Sequence, residues 1–292
     1  MAKVLLLFCD GIGLGMDEAA SNPFAKFRSP YLPFYQNGYD TSLPHDGILI
    51  PTAADMGMPG LPQSATGQTA LFCGVASAQM VGRHISGFPS PSLRKIIDAH
   101  SIFRKLRDKG RTATFANALS QDYFERLGER ISATARAQRA GGFAPRMLDD
   151  LHRFNAVSHD FTNSFLRKRG YNVPQFTIAQ SAEILARIVD EVDFCLFEFI
   201  LSDQAGHKQD FEVALGLIDN LQNFLAQLLP QLDLQQTTVI LSSDHGNMED
   251  LSVKTHTRNF VPTCIWGRNH HQAASQIAAI EQITPTILKL LD

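Results

Sequence analysis

Short runs of Val, Ile, Leu and Phe punctuate the chain at 4–9, 113–117, 194–201, 239–241 and 261–266. Such near-continuous apolar runs predict strands buried on both faces, as in a parallel sheet covered by helices. Between them the spacing changes. Residues 181–192 carry Ala182, Ile184, Leu185, Ile188, Val189 and Val192, and residues 211–229 carry Phe211, Leu215, Ile218, Leu221, Phe224, Leu225, Leu228 and Leu229. Both sets follow a period near 3.6 and predict amphipathic helices. Pro230 stops the second, and Thr284-Pro285 opens a last helix over 284–291. Strands alternating with helices predict a layered α/β fold.

One stretch breaks the alternation. From 120 to 174 the apolar period fades and Arg126, Arg130, Arg136, Arg139, Arg146, Arg153, Arg167, Lys168 and Arg169 accumulate. Two readings stand side by side: a solvated excursion, or a small inserted cap whose basic groups reach toward an anionic ligand. The expected organisation is a core of 1–119 and 176–292 with a cap of 120–175.

Composition narrows the class. The chain has 292 residues, 44% of them apolar and 19% charged, with net charge −3. That excludes wholesale disorder and makes nucleic acid a poor partner. The early run 4–9 is shorter than the ~7–15 residues of a signal core or the ~20 of a membrane span. A soluble cytoplasmic protein without membrane association is expected. Cys9, Cys73, Cys195 and Cys264 form no C-x-x-C pair and read as buried small hydrophobes in a reducing compartment. His270-His271 lies past the last strand and reads as surface.

The informative polar residues stand where strands end. Asp10 closes the first run. Asp203 follows Phe-Glu-Phe-Ile-Leu-Ser, with His207 four residues on. Asp244 and His245 follow Val-Ile-Leu-Ser-Ser, and His256 precedes the run at 261. Ligands of open α/β sheets bind at the carboxyl ends of strands. Each residue alone is an ordinary turn or surface group. Together, three Asp and three His at one edge would repel and desolvate one another without a cation, and nitrogen-plus-oxygen sets suit divalent metals. Adjacent Asp244 and His245 must lie in a turn to face one site, with Gly246 supplying its freedom. Ser64 opens an apolar helical stretch, where free N–H groups and the helix dipole favour anions. A plain capping serine fits the same position, and Thr66 and Thr69 are alternative hydroxyls.

These motifs resemble the alkaline phosphatase superfamily, in its metalloenzyme branch with cofactor-independent phosphoglycerate mutase and phosphopentomutase. The matching segments are Phe-Cys-Asp10-Gly, Gln-Ser64-Ala-Thr-Gly67, Ser-Asp203-Gln-Ala-Gly-His207, Ser-Asp244-His245-Gly-Asn-Met-Glu and Thr-His256-Thr-Arg-Asn-Phe-Val-Pro, in the family's order. The resemblance implies a three-layer sandwich with a mostly parallel central sheet and a small inserted cap. It implies one metal held by Asp10, Asp244, His245 and the Ser64 oxygen, and another by Asp203, His207 and His256. It selects Ser64, three residues before Gly67, as the hydroxyl that becomes phosphorylated, and it demotes Thr66. Two divalent ions, Mn or Zn, against three carboxylates leave the site about singly positive and attractive to a phosphate dianion.

Departures bear on the substrate. Gln68 stands where the mutases have a histidine. The chain is much shorter than the phosphoglycerate mutase and lacks its Asp-Gly-Arg-Asp-type motif. Gly87-Phe-Pro-Ser-Pro is closer to phosphopentomutase. No Cys/Ser-x-Pro-x-Arg motif surrounds Ser64, which disfavours sulfatase chemistry. Arg83, His84, Arg258 and His159 are candidates for gripping substrate. The expected function is two-metal phosphoryl transfer on a small phosphorylated metabolite through phosphoserine, as a phosphomutase or a phosphomonoesterase, and a small cap leans toward hydrolysis. The alternative is a catalytically silent metal-binding protein that holds a phosphorylated ligand. The sequence assigns no oligomeric state.

Overall fold

The computed structural model describes residues 2–35 and 42–292. Its centre is a seven-stranded sheet built from β1 (Lys3–Cys9), β2 (Ser42–Leu43), β3 (Gly47–Thr52), β4 (Ala113–Phe115), β5 (Phe194–Phe199), β6 (Thr237–Ser242) and β7 (Val261–Gly267), in the order β2-β3-β7-β6-β1-β5-β4. The β4-β5-β1-β6 block is parallel, whereas the β6-β7, β7-β3 and β3-β2 pairs are antiparallel. The sheet is therefore mixed, with a parallel core.

Strand alternation makes the layers. In β1, Leu5, Leu7 and Cys9 join one apolar cluster, while Val4, Leu6 and Phe8 join a second on the opposite face. β5 divides likewise, with Cys195, Phe197 and Phe199 on the first face and Phe194 and Leu196 on the second. The first face is covered by helices Ile178–Asp190 and Phe211–Leu228, and the second by Ser64–Cys73, Pro91–His100, Ile102–Asp108, Ala133–Gly141 and Ile283–Leu291. This is the expected three-layer α/β arrangement.

Local chemistry sets the boundaries. The helix expected from 181 starts at Ile178, because Thr177 and Gln180 form a reciprocal capping box. Asp210 caps the long helix by accepting from the Val213 N–H. The run expected as strand to 201 ends at Phe199, and Leu201–Lys208 is helical. β3 was not evident in the pattern, since Pro51 interrupts it. That proline sits opposite Pro262 of β7, where neither residue has an N–H to give.

Residues 120–175 follow β4, with bridges between Asn117 and Val157 and between Leu119 and Met147. They send Leu151, Val157 and Phe161 into the first apolar cluster and Ile131, Ala133 and Ala137 into the second. Phe161 stacks on Phe224 with ring centroids 4.1 Å apart, and also on Phe197 and Phe199. Much of the basic character is spent locally. Arg136 pairs with Asp98 and Glu129, Arg139 with Glu129, Arg126 with Asp122 and Arg153 with Asp150.

Candidate metal centre

The topology brings five chain segments to one edge of the sheet. Asp10 follows the carboxyl end of β1, and Asp244 and His245 follow that of β6. β7 runs antiparallel to β6, so its amino end, just after His256, lies at this same edge. The segment leaving β3 leads there to Ser64. Asp203 and His207 sit at i and i+4 of helix Leu201–Lys208, one above the other on a single face.

The loops lock together. Ser202 Oγ donates to the Asp10 carbonyl (2.5 Å), Ile12 N to Ser243 Oγ (2.9 Å) and Met248 N to the Gly11 carbonyl (3.0 Å). Gly11 has φ +68°, and a Cβ there would lie 2.8 Å from that of Asp203. Gly246 is needed for a different reason from the expected turn freedom. Its φ is ordinary, but a Cβ would fall 2.3 Å from both Glu249 Oε1 and Thr257 Oγ1.

Two donor groups result, sharing one imidazole. Asp10, Asp244 and His245 place ligand atoms within 4.8 Å of one another, and so do Asp203, His245 and His256. His245 Nε2 lies 3.4 Å from Asp10 Oδ1 and 3.4 Å from Asp244 Oδ2, and 3.0 Å from Ser64 Oγ. His207 Nε2 is 3.4 Å from Asp203 Oδ2 and 3.2 Å from His256 Nε2. The His245 and His256 rings stack at 3.7 Å.

The other ring nitrogens fix the tautomers. His207 Nδ1 faces the Lys254 carbonyl and His256 Nδ1 the Pro62 carbonyl, each at 2.9 Å. A carbonyl only accepts, so both Nδ1 atoms carry hydrogen. In the neutral rings the two Nε2 lone pairs therefore confront each other at 3.2 Å. Asp10 Oδ1 and Asp244 Oδ2 are likewise buried with no hydrogen-bond partner. Burial, then the neighbouring Asp203, pushes the Asp244 carboxyl up to about 7, and burial followed by Asp244 raises Asp10 well above the ordinary value. Burial lowers His245, and burial with His245 lowers His256. Facing lone pairs, orphaned carboxylate oxygens and protons driven onto acids are what a divalent cation would relieve, so the residues fit the expected ions.

Surrounding groups that the sequence does not mark, Gln68 apart, orient these donors. Asn247 Nδ2 donates to Asp203 Oδ1 at 2.7 Å, and Gln68 Nε2 to Asp10 Oδ2 at 3.3 Å. Glu249, buried, accepts from Gly13 N, Asn247 N, Asn259 Nδ2 and Thr257 Oγ1. Glu198, inside the apolar run of β5, accepts from Thr134 Oγ1 at 2.8 Å, and burial raises its carboxyl. Ser64 is the first residue of its helix rather than the cap. Gln63 holds the capping position without a side-chain bond, which leaves Ser64 Oγ directed at His245.

The substrate candidates scatter. His159 Nδ1 lies 3.1 Å from Asn117 Nδ2 and 3.2 Å from the Glu198 carbonyl. His84 Nε2 faces the Met58 carbonyl at 3.1 Å. Arg258 lines a cavity with Pro62, and Arg83 is exposed on the loop after helix Ser77–Val81.

Residues 160–292 match the Metalloenzyme superfamily. The matched segment carries Asp203, His207, Asp244, His245 and His256, while Asp10 and Ser64 reach the same edge from outside it. Over 125 residues the chain is 27% identical to the 2,3-bisphosphoglycerate-independent phosphoglycerate mutase of Mycoplasmoides gallisepticum, covering 41% of this chain and 25% of that protein. The corresponding protein of Francisella philomiragia is 28% identical over 122 residues, covering 38% and 24%. The matches span about a quarter of these relatives' length. Among solved structures, the PH0037 protein from Pyrococcus horikoshii superposes with TM-score 0.59 at 16% identity, covering 99% of this chain and 96% of that one. Alkaline phosphatase from the Antarctic bacterium TAB5 gives 0.51 at 13%, covering 99% and 97%. The family resemblance carried by the motifs and the alkaline phosphatase-like fold are thus both found.

Proposed function

We propose that this chain is a two-metal phosphoryl-transfer enzyme acting on a small phosphorylated metabolite, with Ser64 as the residue that accepts the phosphoryl group. The observation that carries the reading is Ser64 Oγ at 3.0 Å from His245 Nε2, the nitrogen on which two partnerless carboxylate oxygens also converge. Asp10, Asp244, His245 and Ser64 would hold one ion, and Asp203, His207 and His256 the other. Bound Mn or Zn would polarise phosphoryl oxygens and favour the ionised serine. Ser64 supplies the attacking oxygen from the positive end of a helix, where an incoming phosphate is electrostatically welcome. A bond forms from Ser64 Oγ to phosphorus, the ester P–O bond breaks, and the departing oxygen takes a proton. Water then attacks the phosphoserine in a phosphomonoesterase, or a second hydroxyl of the metabolite in a phosphomutase.

Several features support the wider reading. Net charge −3 suits a small ligand better than nucleic acid, and among the described residues no helix is long and apolar enough to cross a membrane. All four cysteines are buried free thiols, in keeping with a reducing, cytoplasmic setting. The segment 120–175 is the proposed cap.

The test is brief exposure of Mn-loaded protein to a panel of phosphorylated metabolites, followed by mass spectrometry and assays of released phosphate and of isomer formation. Phosphate on Ser64, lost in Ser64→Ala at unchanged metal content, is the expected result. Isomer formation without free phosphate would select the mutase. Turnover that survives Ser64→Ala would overturn the assignment.

A further inference from the structure

Beside the metal-ligand residues lies a cavity of about 180 Å³ whose wall includes Pro62, the residue whose carbonyl holds His256 Nδ1. It is smaller than the ~300–1,000 Å³ of a typical drug-sized pocket. Met58, Pro59 and Phe260 give it apolar sides, and His84 braces that wall through the Met58 carbonyl. Two ionisable side chains line it, Asp55 and Arg258. Asp55 Oδ1 already accepts from the Gly57 N–H at 3.0 Å. Arg258 is different. Among the described residues its guanidinium has no hydrogen-bond or ion-pair partner. It stands two residues after His256, while Thr257 between them turns the other way to bond Glu249. Alternation along this extended stretch puts His256 and Arg258 on one side.

We infer that this cavity receives the far end of the substrate, and that this end is a compact anion, a carboxylate or a second phosphate, paired with Arg258. The inference rests on the proposed phosphoryl-transfer reading, which places the reacting phosphate at the metals. A planar guanidinium grips either anion through paired N–H donors. The small volume and apolar walls disfavour a nucleoside or a sugar chain. Arg258 is thus a specificity residue for doubly anionic phosphate esters over singly anionic ones.

Phosphonates, whose C–P bond is not turned over, allow binding to be read without catalysis. Mn-loaded full-length protein is titrated calorimetrically with inorganic phosphate, alkylphosphonates, ω-carboxyalkylphosphonates and α,ω-bisphosphonates of graded chain length. At the best-fitting length, a doubly anionic compound is expected to bind about tenfold or more tightly than its alkyl counterpart. The preferred terminus, carboxylate or phosphonate, names the chemistry. That ratio should collapse to near unity in Arg258→Met and recover in part in Arg258→Lys. Equal affinity for alkyl and doubly anionic compounds, or a preference that persists in Arg258→Met, overturns the inference and leaves the metal-site reading standing. Failure of inorganic phosphate and every phosphonate to bind overturns both.

Discussion

The carboxylate of Asp203 is aimed by one amide. Asn247 Nδ2 donates to its Oδ1 at 2.7 Å, and among the described residues no other side chain bonds that oxygen more closely. Groups that orient metal ligands typically carry 10–100-fold in affinity. Asn247→Leu is therefore expected to weaken Mn²⁺ binding on the Asp203–His207–His256 side by about 10–100-fold. Gln68→Leu should cost less, since its bond to Asp10 is stretched to 3.3 Å. Metal titration of chelator-treated protein, followed by electron paramagnetic resonance, separates the two, and equal affinities in wild type and Asn247→Leu would contradict the assignment. The contrast also shows what a sequence exposes. Asp10, Asp203 and Asp244 are legible because a carboxylate after an apolar strand is chemically out of place. Asn247 and Gln68 are neutral amides whose own chemistry does not distinguish them from surface residues, and Gln68 stands out in the sequence only as a departure from the mutase pattern. Glu198 was hidden for the opposite reason: between two phenylalanines it reads as part of a strand, and only the fold shows Thr134 reaching it from 64 positions away.

Strands β1, β5, β6 and β7 were legible because each is buried on both faces, which forces apolar residues at consecutive positions. β3 was not, because it is half-buried and broken by Pro51. The packing of 120–175 was also invisible, since the partners of Phe161 lie on β5 and on helix Phe211–Leu228, far along the chain. Removing that ring should leave a cavity that stacked neighbours cannot fill. Phe161→Ala is expected to lower stability by about 3–5 kcal/mol in urea unfolding, the usual cost of a buried Phe truncation. A loss below about 1 kcal/mol would mean that the stack carries little weight. The opposite end of the sheet offers a pH-dependent joint. Burial alone would raise Asp193, but the Thr112 N–H and hydroxyl, with Arg111, outweigh it and hold the carboxyl below its ordinary 3.8. A depressed acid stabilises the fold above its unfolded value and loses that contribution as pH falls through the native value. Asp193→Asn should therefore be less stable than wild type at neutral pH, and the gap should close below about pH 3.8. A gap that is constant with pH would rule out an ionic origin.

The molecule as a whole gathers its candidate ligand side chains in one place. Three carboxylates and three imidazoles from four separate segments meet at a single sheet edge, two carboxylate oxygens there lack a hydrogen-bond partner among the described residues, and two imidazole lone pairs face each other at 3.2 Å. Without cations the fold must oppose that repulsion with its apolar layers. With cations the same groups become cross-links between β1, β5, β6 and the segment before β7. The unfolded chain has no such convergence, so a metal that binds only the native state stabilises it by mass action, by about 2.7 kcal/mol per site at a free concentration of 100 Kd. For a chain near this size each kcal/mol is worth roughly 2–4 °C. Two filled sites should then raise the melting temperature by on the order of 10 °C over chelator-treated protein. The rise should depend on metal concentration, as linkage requires. The Asp10–Asp244–His245 and Asp203–His207–His256 groups can be told apart by the same measurement, since Asp244→Asn should remove part of the increment and His256→Ala another part. A melting temperature indifferent to chelator and to added Mn²⁺ or Zn²⁺ would mean that this edge holds no ion, and the phosphoryl-transfer reading would fall with it.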